Sequence, residues 1–287
     1  MNELSIVVPA YNEVNLLDKS IKTLIKSLNN VNVNNYEIII VDNNSKEDKT
    51  YDYFRNIETI QNVKILKFEK KFNFSEINNF AVKNASGEIL LFLNNDTEVI
   101  TKDWMTAMLE HALQNEVGAV GCKLLYPDNT IQHAGVILGI NSISIPFENG
   151  VAEHAHKHFP KSDNGYFGRI NVVQNFSAVT AACMMVRKEV FEAAGGFDEQ
   201  NLKVSFNDID LCLKIRELGY RIVYTPYAEL YHYESLSRGY EDTQEKCEQS
   251  VREFRYMREK WGKIIDNGDP YYNPNLSLRY DDFRIKI

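Results

Sequence analysis

Residues 90–99 read LLFLNNDTEV, and this stretch decides the fold. With Ile89 before it, the segment opens as an unbroken apolar run through Leu90, Leu91, Phe92 and Leu93. An unbroken run marks a strand covered on both faces, as in a parallel sheet with helices above and below. The run stops at Asn94-Asn95-Asp96. A buried strand that ends in a polar cluster presents it at the carboxyl edge of the sheet, where open α/β sheets bind ligands. No Lys or Arg lies within five residues of Asp96, and a carboxylate so placed suits a hard cation bridging to phosphates. The plain alternative is a turn, which Asn and Asp also favour.

Toward the N-terminus the pattern recurs. Residues 4–9 (LSIVVP) and 36–41 (YEIIIV) are apolar runs that lead into Tyr11-Asn12-Glu13 and Asp42-Asn43-Asn44-Ser45. Residues 63–68 form a further strand. Helical spacing fills the gaps: 14–28 with Leu17, Ile21, Leu24, Ile25 and Leu28, then 46–55, and 74–84 stopped by Ser86-Gly87. A helix at 104–114 and a strand at 117–125 follow. This alternation predicts a parallel sheet with helices on both faces, and right-handed crossovers bring the strand ends to one edge. A single polar strand end reads as a turn, but several on one edge read as a site. Neither G-x-G-x-x-G after the first strand nor G-x-x-x-x-G-K-[ST] occurs, so a glycine-rich phosphate cradle is not the device used.

Beyond residue 126 the alternation breaks down. Residues 131–140 predict a strand carrying His133, and 141–169 are long and irregular, as binding loops often are. Strands at 172–179 and 182–187, helices at 188–194 and 208–218, and short strands at 221–225 and 228–231 lead to His232. A helix spans 242–265, and the tail 269–287 has no periodicity.

The net charge of −8 argues against a general nucleic-acid binder, yet it leaves room for a nucleotide whose charge a metal offsets. Cys122, Cys183, Cys212 and Cys247 form no C-x-x-C pair and read as reduced thiols, which predicts a cytosolic compartment. The start, MNELSIVVPA, enters a strand directly and reads as no signal peptide, and no apolar run reaches membrane-span length.

Several segments together resemble the family 2 glycosyltransferases of the GT-A fold, in the branch of bacterial rhamnosyltransferase-like enzymes that build surface polysaccharides. They are 5–13 (SIVVPAYNE), 37–45 (EIIIVDNNS), 73–99 (NFSEINNFAVKNASGEILLFLNNDTEV), 117–139 (VGAVGCKLLYPDNTIQHAGVILG), 194–199 (AGGFDE), 207–239 (NDIDLCLKIRELGYRIVYTPYAELYHYESLSRG) and 268–278 (GDPYYNPNLSL). Each is weak alone, but they stand in family order across nearly the whole chain. The resemblance implies an α/β, GT-A-type (Rossmann-like), mostly parallel sheet flanked by helices, with a C-terminal acceptor-side extension. It implies one domain over residues 1–287: a nucleotide-sugar half (1–125), an acceptor and catalytic half (126–240), and a C-terminal helix and tail (241–287). The implied reaction moves a hexose, with inversion, from a UDP- or dTDP-linked donor to a glycan or lipid-linked glycan, at the cytoplasmic face of a membrane.

Roles come with the resemblance. Asp42 matches the acid that contacts the base or ribose, and Pro9, Tyr11 and Glu13 line the same pocket. Asn73, Asn78 and Asn95 fall in donor-binding segments. Asp96 matches the last acid of the D-x-D motif, with Asn94 and Asn95 at its earlier positions, and is the implied ligand of Mn²⁺ or Mg²⁺. His232 matches the histidine that completes the metal site, and imidazole suits Mn²⁺ better than Mg²⁺. Asp208 matches the catalytic acid, with Asn207 in place of the usual Glu, and would act as general base. Arg238 is the nearest cation able to grip phosphate in a fork, with Gly239 beside it to let the loop move.

Plainer readings stand beside these. Asp42 suits an Asx-turn, Asp208 a helix cap, and His232 and His133 a packed core. His154, His156 and His158 invite a zinc reading, but an acceptor-side loop fits better because ligand partners are lacking. In the helix at 242–265, Val251, Phe254, Met257, Trp261 and Ile264 form a stripe amid Arg252, Arg255, Arg258, Lys260 and Lys263. That helix either packs on the domain or docks on an anionic membrane. Trp261, Tyr271 and Tyr272 are candidates to stack on sugars. Two other functions compete: a nucleotidyltransferase, which needs a basic glycine-rich loop where PAYNE stands, and a non-catalytic nucleotide- or glycan-binding module.

Overall fold

The computed structural model describes residues 4–28, 35–140, 150–234, 243–280 and 282–286. The apolar runs of the first half form β1 (Leu4–Ala10), β2 (Tyr36–Asp42), β3 (Val63–Lys67) and β4 (Ile89–Leu93), parallel and side by side in the order β4-β1-β2-β3. Between them lie α1 (Val14–Leu28), α2 (Asp48–Ile57) and α3 (Phe74–Lys83). The two-residue period of the strands sorts the core into two layers. Ile6, Val8, Ile38, Ile40, Leu91 and Leu93 face α1, α2 and α4 (Trp104–Ala112). Val7, Ile39, Val41, Leu90 and Phe92 face the other way, toward α3, α5 (Lys188–Ala193), α6 (Asn207–Glu217) and α7 (Gln244–Asp266).

Past β4 the sheet is mixed. β11 (Cys183–Arg187) lies antiparallel between β4 and β6 (Val117–Leu125). β12 (Arg221–His232) runs parallel to β6 and carries β10 (Gln174–Phe176) on its outer edge. All of β6 is buried, and Gly121 within it leaves room for Val179, whose Cβ would lie 2.4 Å from an added one.

The structure differs from the sequence reading in particular places. The strand expected over 131–140 breaks into β7 (Ile131–His133) and β8 (Val136–Leu138) at Gly135, where φ is +94° and a Cβ would strike the Phe176 ring. β8 pairs instead with β9 (Ala152–His154). The short strands expected at 221–225 and 228–231 are one strand, β12, with an irregularity between Thr225 and Glu229. The aperiodic tail packs into a third core, in which Tyr272, Leu276 and Phe283 join Ile131, Ile137, Ile170 and Tyr224.

Helix α7 buries Phe254, Met257, Trp261 and Ile265, so the stripe ends on Ile265 rather than Ile264. Trp261 is buried and donates Nε1–H to Asp210 Oδ1 at 2.8 Å, while Tyr272 is buried and donates to Ser277 O. The rings of Trp261 and Tyr272 are therefore core groups and offer no sugar platform. Lys260 pairs with Asp210 at 2.7 Å and Arg258 with Asp266 at 2.8 Å, so part of the basic face is committed within the protein. Asp210 is fully buried, with Lys214 3.0 Å away on its own helix. Asp210→Asn should therefore cost about 3 kcal/mol in urea unfolding, the low end for breaking a buried ion pair, because both lysines keep some water. A loss below about 0.5 kcal/mol would mean that the pair behaves like a surface one.

Candidate active site

The carboxyl ends of β1, β2 and β4 meet at one edge, as the polar strand ends require. Asn43 N donates to Ala10 O at 2.8 Å, and Asn12 N donates to Ser45 Oγ at 2.9 Å. Asn12 and Glu13 both hold φ near +47°, a left-handed corner that throws the chain away from β1. Asn43 reaches further, its Nδ2 donating to the carbonyls of Phe68 and Lys70. Asp42 is buried, and its Oδ1 accepts from Ser45 N at 3.0 Å. The Asx-turn thus forms at the same residue that the resemblance places in the nucleotide pocket. Pro9 lies in β1 opposite Val41, and Tyr11 is exposed at the rim.

Not every donor-segment asparagine points to a ligand. Asn73 caps α3, accepting from Glu76 N at 3.1 Å and donating to Glu199 O at 2.9 Å. Asn78 is fully buried in α3 and donates to Phe74 O. Both are framework groups here. Asn95 is buried beside Asp96 at the end of β4. Arg238 and Gly239 lie outside the described residues.

The centre of the edge is a contact between residues far apart in sequence. β5 (Thr97–Val99) runs antiparallel to the end of β12, with Thr97 opposite His232. His232 Nε2 thereby lies 3.1 Å from Asp96 Oδ1 and 3.1 Å from Asn94 Nδ2. Its other nitrogen, Nδ1, lies 2.7 Å from Gln132 Oε1, and Gln132 Nε2 donates to Glu234 Oε2 at 3.0 Å. The Gln132 amide is thus oriented with its oxygen toward the ring, which places a proton on Nδ1 and directs Nε2 at Asp96. Burial disfavours the charged ring, but Asp96 and Glu234 together outweigh it and raise the His232 pKa above 6.5. Beside this pair, Lys19 bridges Glu98 and the Tyr233 hydroxyl, each at 2.7 Å. The sequence reading did not single out Gln132, Glu234 or Lys19. For Gln132 and Glu234 the only signal was a nearby histidine, His133 or His232; Lys19 carried none.

Asp208 sits in the first turn of α6, but the cap position belongs to Phe206. Its Oδ1 accepts from Ile209 N at 2.9 Å, and its Oδ2 accepts from Ala181 N at 3.1 Å. Ala182 O in turn accepts from Asn94 N at 3.0 Å, so the Asp208 carboxylate and the β4 end share one loop. The carboxylate is half-buried and keeps access to solvent.

Asp96 and His232 suit a divalent ion. A carboxylate and an imidazole are donor types that such an ion takes, and here they lie 3.1 Å apart. Among the described residues no group of three or more His, Cys, Asp and Glu side chains is arranged to hold a metal. The zinc reading of 154–158 finds no convergence. His154 Nδ1 binds Gln132 O, His156 is buried against Phe283 and accepts from Tyr166 N, and His158 stacks on Tyr126. His133 is buried, and burial together with His154 and His232 keeps it neutral.

The raised pKa of His232 sets a sign. A pKa higher in the folded state adds stability that is full below the unfolded value near 6.5 and is lost as pH rises through the folded value. The unfolding free-energy gap between wild type and His232→Gln should therefore shrink as pH rises past that point. A gap that stays flat from about pH 5 to about pH 9 would mean that folding leaves the ring's pKa unshifted.

Residues 5–195 match the family described as Glycosyl transferase family 2. The chain is 46% identical over 281 residues to protein y4gI of Sinorhizobium fredii, covering 98% of this chain and 30% of that one. It is 38% identical over 282 residues to the O-antigen biosynthesis protein RfbC of Myxococcus xanthus, covering 98% of this chain and 21% of that one. The chain thus spans under a third of the length of these relatives. Its fold is similar to that of a mannosyltransferase of Pyrobaculum calidifontis in complex with GDP-Man and Mn²⁺, with TM-score 0.60 and 17% identity over 92% of this chain and 64% of that one. The mixed sheet with helices on both faces is accordingly the GT-A arrangement, and the chain belongs to glycosyl transferase family 2.

Proposed function

We propose that the chain is one catalytic domain that transfers a hexose, with inversion, from a UDP- or dTDP-linked donor to a glycan or lipid-linked glycan of the cell surface. The observation that carries this reading is the Asp96–His232 pair at the sheet edge where Asp42 ends β2. β1 lies between β4 and β2, so Asp42 and the Asp96 cluster are two strand spacings, about 10 Å, apart. That separation suits a nucleoside held at Asp42 and a diphosphate reaching Asp96. Tyr11 and Glu13 would border the nucleoside, and residues 1–125 would hold most of the donor. Asp96 and His232 would hold Mn²⁺ or Mg²⁺, whose charge offsets that of the departing diphosphate. Arg238 would add its fork to the same phosphates.

Asp208 would take the proton from the acceptor hydroxyl as that oxygen attacks the anomeric carbon. The bond from that carbon to the diphosphate breaks on the opposite side, and the diphosphate leaves with the electron pair. The hydrogen bonds from Ile209 N and Ala181 N hold one carboxylate oxygen each, and each oxygen keeps a further lone pair that can accept a proton. The name of RfbC supports a glycan acceptor, and the GDP-Man and Mn²⁺ in the mannosyltransferase support a nucleotide-sugar donor with a metal. A lipid-linked acceptor would place the enzyme peripherally at the cytoplasmic face of a membrane. Among the described residues no helix is long and apolar enough to cross one.

The test is nucleoside diphosphate release from UDP-, dTDP- and GDP-hexoses, alongside calorimetric binding of UDP, dTDP and GDP with and without Mn²⁺. Asp208→Asn should lower turnover by about 10³-fold and leave nucleotide affinity near wild type. Asp96→Ala should remove the Mn²⁺-dependent part of binding. Full turnover in Asp208→Asn would sink the role of Asp208 as base, whereas nucleotide binding with no turnover on any donor in the wild type would favour a binding module.

A further inference from the structure

A buried carboxylate outside the candidate site holds the approach to Asp208. Glu253, in α7, is 2% exposed. Its Oε1 accepts from Lys203 N at 3.1 Å and from Gln249 Nε2 at 2.8 Å, and its Oε2 accepts from Ser205 N at 2.5 Å. The amide of Val204 also turns toward it. Successive backbone N–H groups curl around an anion in this way in anion-binding nests. Here the anion is part of the chain. Burial raises the Glu253 carboxyl above its ordinary value, although Gln249 and these amides pull it back. Burying a carboxylate is costly unless such donors surround it.

The held segment has a specific consequence. Next comes Phe206 with φ +60°, a left-handed conformation that a bulky residue keeps only when its surroundings enforce it. The Phe206 ring packs edge-on against Phe254, the residue after Glu253. Asn207 Nδ2 donates back to Val204 O at 2.9 Å. On the other side Ser75 donates its hydroxyl to Leu202 O and its N–H to Lys203 O. The corner at Phe206 is what starts α6 in the direction that brings the Asp208 carboxylate onto Ala181 N.

We infer that Glu253 is a positioning residue for Asp208, fixing the 203–206 corner from α7 so that the carboxylate stays on the Ala181 amide. The consequence for turnover rests on the proposed role of Asp208 as base; the consequence for geometry does not. Glutamine at this position keeps the size but presents an N–H₂ to a backbone N–H, so the corner loses an acceptor. The second link between α6 and α7, the Asp210 side chain with Trp261 and Lys260, makes none of the hydrogen bonds to Lys203 and Ser205; Asp210 meets the corner through the helical bond of its N–H to Phe206 O.

Hydrogen exchange and turnover together test this. In Glu253→Gln the amides of Lys203 and Ser205 should exchange faster, and so should that of Ala181, by about ten-fold, although it is distant in sequence. Turnover on the donor panel should fall by about 10- to 100-fold with UDP or dTDP affinity unchanged. Gln249→Ala, a milder change, should give the same pattern at smaller amplitude and serves if Glu253→Gln fails to fold. Trp261→Phe loosens the same helix pair and should leave Ala181 exchange and turnover at wild type. Faster exchange confined to 203–205, or equal effects in Trp261→Phe, would overturn the inference and leave Glu253 a local clamp. Undiminished turnover in Asp208→Asn would instead remove the base reading, while the exchange at Ala181 still decides the positioning.

Discussion

The candidate site depends on the path of one strand. β12 pairs with β6 on one side and β10 on the other, then continues past an irregularity to lie against β5. That continuation is what sets His232 beside Asp96. A strand can slip only by whole residues, and a slip of one reverses every side chain. Ile222, Val223 and Tyr224 are buried before the irregularity and Leu230 after it, so apolar burial anchors β12 on both sides of it. The position of the polar histidine is thus enforced by hydrophobic burial along the strand that carries it.

Placing charge at that depth has a cost, and the surrounding groups offset it. His232 and Asp96 are both nearly inaccessible to water. Gln132, Asn94 and Glu234 supply the hydrogen bonds that water would have made. The Gln132 and Asn94 amides fix the ring direction, and Asp96 and Glu234 favour its charge. Gln132 is itself the middle residue of β7, which pairs with β6 and so ties His232 back to the central sheet.

Asp208 is held by other means. It comes from a corner between loop and helix, fixed from α3 by Ser75 and from α7 by Glu253. The C-terminal helix is therefore more than a cover for the apolar face of α6. It reaches the segment from which the proposed base projects, and its own buried residues, Phe254 and Met257 among them, hold it there.

Much of this was legible from the chain alone. Unbroken apolar runs such as IIIV and ILLFL predict strands covered on both faces, and the helical spacing between them predicts the crossovers. The order of the polar strand ends then places Asp42 and Asp96 on one edge, because parallel strands leave no other arrangement. Local pattern could not show that β11 enters antiparallel, that β12 is continuous, or that the tail is core, since short apolar runs look alike whatever their partners. Nor could it separate Asn73, a cap, from Asn95, a neighbour of Asp96, because an amide suits both settings. The sequence by itself determined the layers of the fold and the acids at its edge, for these follow from periodicity. Only the tertiary structure decided what holds those acids and their histidine in place: Gln132 and Glu234 reach the Asp96–His232 pair through long-range pairing and packing, which no local pattern encodes.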